Sequence, residues 1–63
     1  MSDFKDRLKA EHEKLKYNVN TLETYLREGD LKDAGTQQIT LLVIQCNAMK
    51  TYLSCLCARI ALL

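Results

Sequence analysis

The sequence contains no proline, and its 63 residues include only two glycines, Gly29 and Gly35. Proline and glycine are the residues that most often interrupt helices, so their scarcity favours long continuous helices. The hydrophobic share of 48% excludes the composition of a disordered tail. We expect a single domain over residues 1–63, which at this length needs disulfides, a metal or self-association to be stable.

The sequence also lacks an excess of charge of one sign. Nine basic and eight acidic side chains give a net charge of +1. Proteins that bind the phosphate backbone usually have a clear basic excess on one face, so DNA is not expected as a partner. A structured RNA remains possible.

Long uncharged apolar runs are missing as well. Residues 39–63 are strongly apolar, but Gln45, Asn47, Lys50 and Arg59 interrupt them. No uncharged stretch reaches the roughly 18–20 residues that a membrane span needs. We therefore expect no membrane partner.

Cysteine is present in an odd number, as Cys46, Cys55 and Cys57, and all three lie in an apolar helical pattern. This argues against a secreted disulfide framework and favours a reducing compartment. The first thirty residues are densely charged, unlike a secretory signal. We expect a cytoplasmic protein.

A first helix is predicted over about residues 3–28. Leu8, Leu15 and Leu22 follow each other at seven-residue intervals and form a narrow apolar stripe on a charged helix. Glu11 and Asn18 fall on this predicted stripe, where leucine would be expected. They indicate a hydrated gap or a contact with another subunit.

The ends of the first helix have recognisable signals. Ser2 is a favourable N-cap residue, and Gly29 can take the left-handed conformation that ends a helix. A connection over about 29–35 then leads to a second helix over about 36–62. Two helices of matched length joined by a short connection predict an all-α antiparallel hairpin.

The second helix has an apolar seam whose members alternate three and four residues apart, as in a coiled coil. The seam comprises Ile39, Leu42, Cys46, Met49, Leu53, Leu56, Ile60 and Leu63. Further apolar residues lie off the seam, namely Leu41, Ile44, Ala48, Cys55, Ala58 and Leu62. One partner helix cannot cover both sets, so we predict a homo-oligomeric helical bundle, either a dimer or a larger closed assembly.

Catalytic and metal-binding patterns are weak. His12 is the single histidine, and in an antiparallel hairpin Cys55 is the only thiol expected within its reach. Cys55 and Cys57 lie about 200° apart on a helix and cannot chelate one ion. We predict no catalytic residues, no metal and no cofactor, and hence a protein that is not an enzyme.

One polar stripe stands out on the second helix, because Gln38, Gln45, Tyr52 and Arg59 follow each other at seven-residue intervals. An aromatic ring, two amides and a guanidinium are groups that stack a base, read its edge and bind a phosphate. The same spacing is also typical of the flank of a coiled-coil seam, where polar residues set register and partner choice. The spacing alone leaves both interpretations open.

The sequence resembles very short hairpin proteins of tailed and crAss-like bacteriophages, which are similar to the phage anti-CBASS and anti-Thoeris sponge proteins. The matching positions are Phe4-Lys5-Asp6-Arg7-Leu8, Leu41-Leu42, Gln45, Ala48-Met49, Tyr52, Leu56 and Arg59-Ile60. The resemblance implies a homo-oligomer in the cytoplasm of the infected bacterium that sequesters cyclic nucleotide signals at its subunit junctions. It implies that Tyr52 stacks a base, that Arg59 pairs with a phosphate, and that Gln45 reads a base edge or orients Arg59.

Two alternatives come from other classes of protein. A Rop-like four-helix dimer would bind structured RNA through basic residues of the first helix, namely Lys5, Lys9, Lys14 and Lys16. A protein–protein inhibitor or adaptor would instead dock the surplus apolar face of the second helix on a host or phage protein.

Overall fold

The chain folds as a hairpin of two long helices in a computed structural model, which describes residues 3–63. Helix α1 is Asp3–Glu28 and helix α2 is Thr36–Ala61. They pack against each other in a rod of 48 × 15 × 14 Å. The predicted all-α antiparallel hairpin is confirmed. Ser2, the predicted N-cap residue, lies outside the described residues.

The connection differs from the prediction at its first glycine. The Gly29 N–H donates to the Tyr25 carbonyl oxygen at 2.8 Å, which continues the helical pattern of hydrogen bonds. Gly29 does not have a positive φ, so the predicted left-handed end of α1 is wrong. A Cβ atom at Gly29 would lie 2.5 Å from the Tyr25 carbonyl oxygen. Glycine is needed there because the chain passes close to Tyr25.

Gly35 provides the special backbone conformation of the connection instead. Its φ of 83° and ψ of 155° belong to a region that is essentially restricted to glycine. Its carbonyl oxygen accepts the Ile39 N–H at 3.1 Å, which begins the hydrogen bonding of α2. Gly35 therefore turns the chain into the second helix.

The core is a single layer of side chains between the helices. Leu8, Leu15 and Val19 of α1 form a buried cluster with Leu56, which has no exposed surface. Glu11 and Asn18 are exposed, so their predicted place on the α1 stripe is wrong. The positions of α1 that contact α2 alternate four and three residues apart. His12 and Val19 therefore occupy the contact face, and Glu11 and Asn18, one residue before each of them, lie beside it. The α1 positions at this interface are Leu8, His12, Leu15, Val19, Leu22 and Leu26.

The predicted seam of α2 faces α1 over most of its length. Cys46 and Leu56 are buried, and five other seam positions are partly buried, namely Ile39, Leu42, Met49, Leu53 and Ile60. Leu63 lies beyond the end of α2 and is 44% exposed. Within one hairpin the seam therefore ends at Ile60.

The remaining surface of α2 is apolar and open. Leu41 and Ile44 are each 57% exposed, and Leu62 is 87% exposed. By length and composition alone, Thr36–Ala61 could also cross a membrane. This is weak evidence, because the core helix of a soluble protein can meet the same criterion. The absence of a membrane partner stays a prediction.

Candidate functional site

The polar stripe of α2 lies along the edge of the interface between the helices. Gln38, Gln45, Tyr52 and Arg59 are all exposed. At 1.5 Å per residue the row from Gln38 to Arg59 is about 31 Å long. The four side chains therefore belong to one long surface rather than to one compact pocket.

Helix α1 contributes a second row to the same surface, also at seven-residue intervals: Phe4, Glu11, Asn18 and Tyr25. Because the helices are antiparallel, Phe4 lies beside Arg59, while Asn18 and Tyr25 lie beside Gln45. We call these two rows of four residues the polar flank. Only the α2 row was predicted from the sequence. The α1 row has the same seven-residue spacing, so the same pattern could have identified it.

The larger hollow on the polar flank has a volume of about 470 Å³. This volume is within the usual range of small-molecule sites, about 300–1,000 Å³. Leu22 and Met49 provide apolar lining, and the Tyr25 side chain is 44% exposed. The polar groups of the lining come from Asn18, Thr21, Tyr25 and Gln45. An aromatic ring beside two amides and a hydroxyl suits a flat, polar-edged ligand.

A smaller hollow of about 190 Å³ lies at the other end of the flank, lined by Phe4, Arg7, Leu8, Glu11 and Arg59. The Arg59 guanidinium carbon is 5.9 Å from the centroid of the Phe4 ring, which is a cation–π distance. This contact positions Arg59 at the open edge of the hairpin. Arg7 and Arg59 favour an anion there, and the Glu11 carboxylate opposes one.

Tyr52 lies between the two hollows, lines neither of them, and is 45% exposed. Gln45 is fourteen residues from Arg59, or about 21 Å along the helix axis. Within one hairpin Gln45 therefore does not contact Arg59, and its predicted role beside Arg59 at a junction between hairpins stays a prediction. The neighbours of Gln45 include Met49, whose sulfur lies 4.0 Å from the Gln45 amide nitrogen.

The opposite edge of the interface carries a different set of groups. His12 Nε2 lies 3.1 Å from Cys57 Sγ, so the thiol partner of His12 is Cys57 and the predicted Cys55 is wrong. The register of the hairpin places His12 two residues further along α2 than expected. On the same edge Lys50 and Glu23 form an ion pair at 2.5 Å. The hydrogen bond from Lys50 to Glu23 and the charge of that carboxylate raise the pKa of Lys50 above the ordinary value of a lysine.

Two further sets of residues bear on the predicted functions. Lys9 and Lys16 share one face of α1, but Lys14 lies about 200° around the helix from Lys16. The four lysines of the RNA-binding alternative, all exposed, thus do not form one basic face on a hairpin.

Within residues 3–63, no three His, Cys, Asp or Glu side chains cluster closely enough to hold a metal ion.

The fold and the polar flank define a class of short helical-hairpin proteins with an extended lateral surface suited to binding. Residues 2–62 match the Sequestin family, and the chain belongs to that family. The family name denotes sequestration, the holding of a ligand or partner out of circulation. No curated protein and no solved structure matches the chain significantly.

Proposed function

We propose that this protein sequesters a cyclic nucleotide second messenger of bacterial immunity on behalf of a bacteriophage. It would bind the messenger at junctions between hairpins of a homo-oligomer in the host cytoplasm, and it would break no bond. The observation that carries the proposal is the polar flank, where half-exposed aromatic rings, amides and a guanidinium lie along one edge of the fold. The Sequestin family supports the sequestering action.

The chemistry of the flank matches the parts of a nucleotide. Tyr25 and Tyr52 offer ring faces for base stacking, a contact worth about 1–3 kcal/mol per base. Asn18 and Gln45 offer both donors and acceptors to a base edge. Arg59 offers a guanidinium fork to a phosphate.

The surface that one hairpin leaves open supports the proposed self-association. A compact monomer of 7.2 kDa is expected to expose about 4,100 Å². The hairpin exposes 4998 Å². The excess of about 900 Å² is close to the area of about 800 Å² that each partner buries in a standard interface. A second copy, which carries the same open apolar face of α2, is the occupant that we propose.

Sequestration by binding requires a dissociation constant below the working concentration of the messenger, and binding sites at least as numerous as the messenger molecules. A rigid hairpin suits this task, because pre-ordered side chains lose little conformational entropy on binding. A flank shared between copies would also enclose more of the ligand than the open edge of one hairpin does.

The proposal is tested by calorimetric titration of the purified protein with a panel of cyclic mono-, di- and trinucleotides. We expect one member to bind, and we expect Tyr52→Leu to weaken that binding about 5- to 150-fold because a stacking contact is lost. Arg59→Gln is expected to weaken it as well, and increasing salt should reduce the difference between Arg59→Gln and the unmodified protein.

Two variants outside the polar flank serve as controls. Tyr17 is 70% exposed and Arg27 lies in the last turn of α1. Tyr17→Leu and Arg27→Gln should leave binding unchanged. Binding of no panel member, or equal losses in the control variants, would contradict the proposal. A chain that stays monomeric would instead favour docking of α2 on another protein.

A further inference from the structure

A thiol, an imidazole and a carboxylate meet on the edge opposite the polar flank. Cys57 of α2 lies 3.1 Å from His12 Nε2, and the other imidazole nitrogen, Nδ1, lies 3.4 Å from a Glu13 carboxylate oxygen. Cys57 is two residues from Arg59, and hence about 200° around α2 from it. This cluster is therefore separate from the proposed nucleotide-binding surface.

The order of the three groups is the one that activates a nucleophile. A carboxylate beside Nδ1 favours the tautomer that carries its proton on Nδ1. Nε2 is then free to accept a proton, and the thiol of Cys57 lies within hydrogen-bond distance of it. Glu13 is 73% exposed and His12 is 19% exposed, so the imidazole is held mainly by packing between the helices and to a lesser degree by Glu13.

The other cysteines lack this arrangement. Cys46 is buried in the interface, and Cys55 is exposed two residues before Cys57, about 200° around the helix. The only histidine of the chain is already beside Cys57. Cys55 is thus an exposed thiol on the same helix without an imidazole partner, and it provides a comparison within the protein.

A hollow of about 510 Å³ opens over the cluster, lined by Lys9, His12, Glu13, Cys57 and Ile60. Its volume lies within the range of small-molecule sites. Ile60 gives it an apolar wall, and Lys9 brings an ammonium group that suits a carboxylate. The hollow therefore suits a small organic molecule that carries negative charge and reaches the sulfur.

We propose that Cys57 is a nucleophilic thiol that forms mixed disulfides with low-molecular-weight disulfides bearing carboxylates, of the glutathione type. His12 accepts the proton of Cys57 as its sulfur attacks one sulfur of the disulfide. The disulfide bond of the reagent breaks while the Cys57 mixed disulfide forms. The leaving thiolate takes the proton from His12 and departs as a thiol, so one disulfide replaces another and no further oxidant is needed.

The test compares the reaction rates of the two exposed cysteines by whole-protein mass spectrometry during incubation with oxidised glutathione, and a protein that carries both Cys55→Ala and Cys57→Ala measures the background from the buried Cys46. Cys55→Ala retains Cys57, and Cys57→Ala retains Cys55. We expect the Cys55→Ala protein to form the mixed disulfide about 100-fold faster or more, because a positioned base typically contributes about 10²- to 10⁴-fold. Adding His12→Gln to Cys55→Ala should abolish most of that difference, and adding Glu13→Gln should reduce it by a smaller factor.

A second arm tests the charge of the hollow. In the Cys55→Ala background, Lys9→Met should slow the reaction with oxidised glutathione but not with cystamine, a disulfide that carries amines instead of carboxylates. Circular dichroism verifies that each variant stays helical. Equal rates for Cys55 and Cys57, or an unchanged Cys57 rate in the folded His12→Gln protein, would overturn the proposal.

Discussion

Leu56 shows most directly what a single residue contributes to this fold. It is completely buried between the helices, although α2 as a whole is largely exposed. Leu56 contacts the cluster of Leu8, Leu15 and Val19, which supplies most of the buried apolar surface of α1. In a chain with so small a core, one such residue accounts for a large part of the stability.

We therefore expect Leu56→Ala to reduce the free energy of unfolding by about 2–5 kcal/mol, because it removes buried methyl groups and leaves a cavity. Leu56→Met nearly preserves the volume and should cost less than about 1.5 kcal/mol. Urea unfolding followed by circular dichroism measures both changes. Leu62, which is 87% exposed, provides the control, and a loss in Leu62→Ala as large as in Leu56→Ala would contradict this assignment of the core.

At the scale of single residues, part of the candidate site could be predicted from the sequence. The spacing of Gln45, Tyr52 and Arg59 identified three exposed side chains of the polar flank, but it did not identify Asn18 and Tyr25 as the neighbours of Gln45. Those contacts depend on the register between the helices. The same limit explains the error at His12, where a shift of two residues along α2 exchanged Cys55 for Cys57.

At the scale of the elements, the two helices are joined along one edge by the Lys50–Glu23 ion pair. Both side chains are partly exposed, at 48% and 37%, so solvent screens the pair. Its pH dependence follows from the raised pKa of Lys50. A group whose pKa is raised by folding stabilises the folded state below its unfolded pKa, and this contribution is lost as the pH rises through the folded pKa.

We expect Glu23→Gln to lower the Tm at pH 7, and we expect the difference from the unmodified protein to vanish at a pH above the folded pKa of Lys50, which the ion pair raises above the ordinary value of a lysine. Thermal melts of both proteins between pH 7 and pH 12 measure this difference. Glu28→Gln, at the exposed end of α1, is the matched control and should show no such dependence. A difference between Glu23→Gln and the unmodified protein that persists unchanged at the highest pH would contradict the ion pair.

The helices themselves could be predicted because their signals are local. Heptad spacing, acidic residues in the first turn of α1 and the scarcity of helix-breaking residues all act within a few turns. The end of α1 was predicted less well, since Gly29 could be assigned a left-handed conformation from its identity alone. Its real constraint is the close approach to Tyr25, which only the folded chain shows.

At the scale of the whole molecule, the hairpin combines a small core with a large open apolar face. Periodicity predicted that face, because Leu41, Ile44 and Leu62 fall off the seam that α1 covers. The number of copies that assemble depends on the shapes of the surfaces around the contact, which periodicity does not describe. Self-association and nucleotide binding thus remain proposals that rest on the same exposed surfaces.

Native mass spectrometry of the protein mixed with the cyclic nucleotide that it binds tests the central claim most directly. We expect an assembly whose protein mass is a multiple of the chain mass, with the unhydrolysed nucleotide bound to it. Ile44→Lys should release monomers without ligand, because it places a charge in the proposed interface, while Thr24→Lys, on the exposed side of α1 away from α2, should keep the assembly. A monomer that binds nothing, or a nucleotide recovered in hydrolysed form, would contradict sequestration by an oligomer.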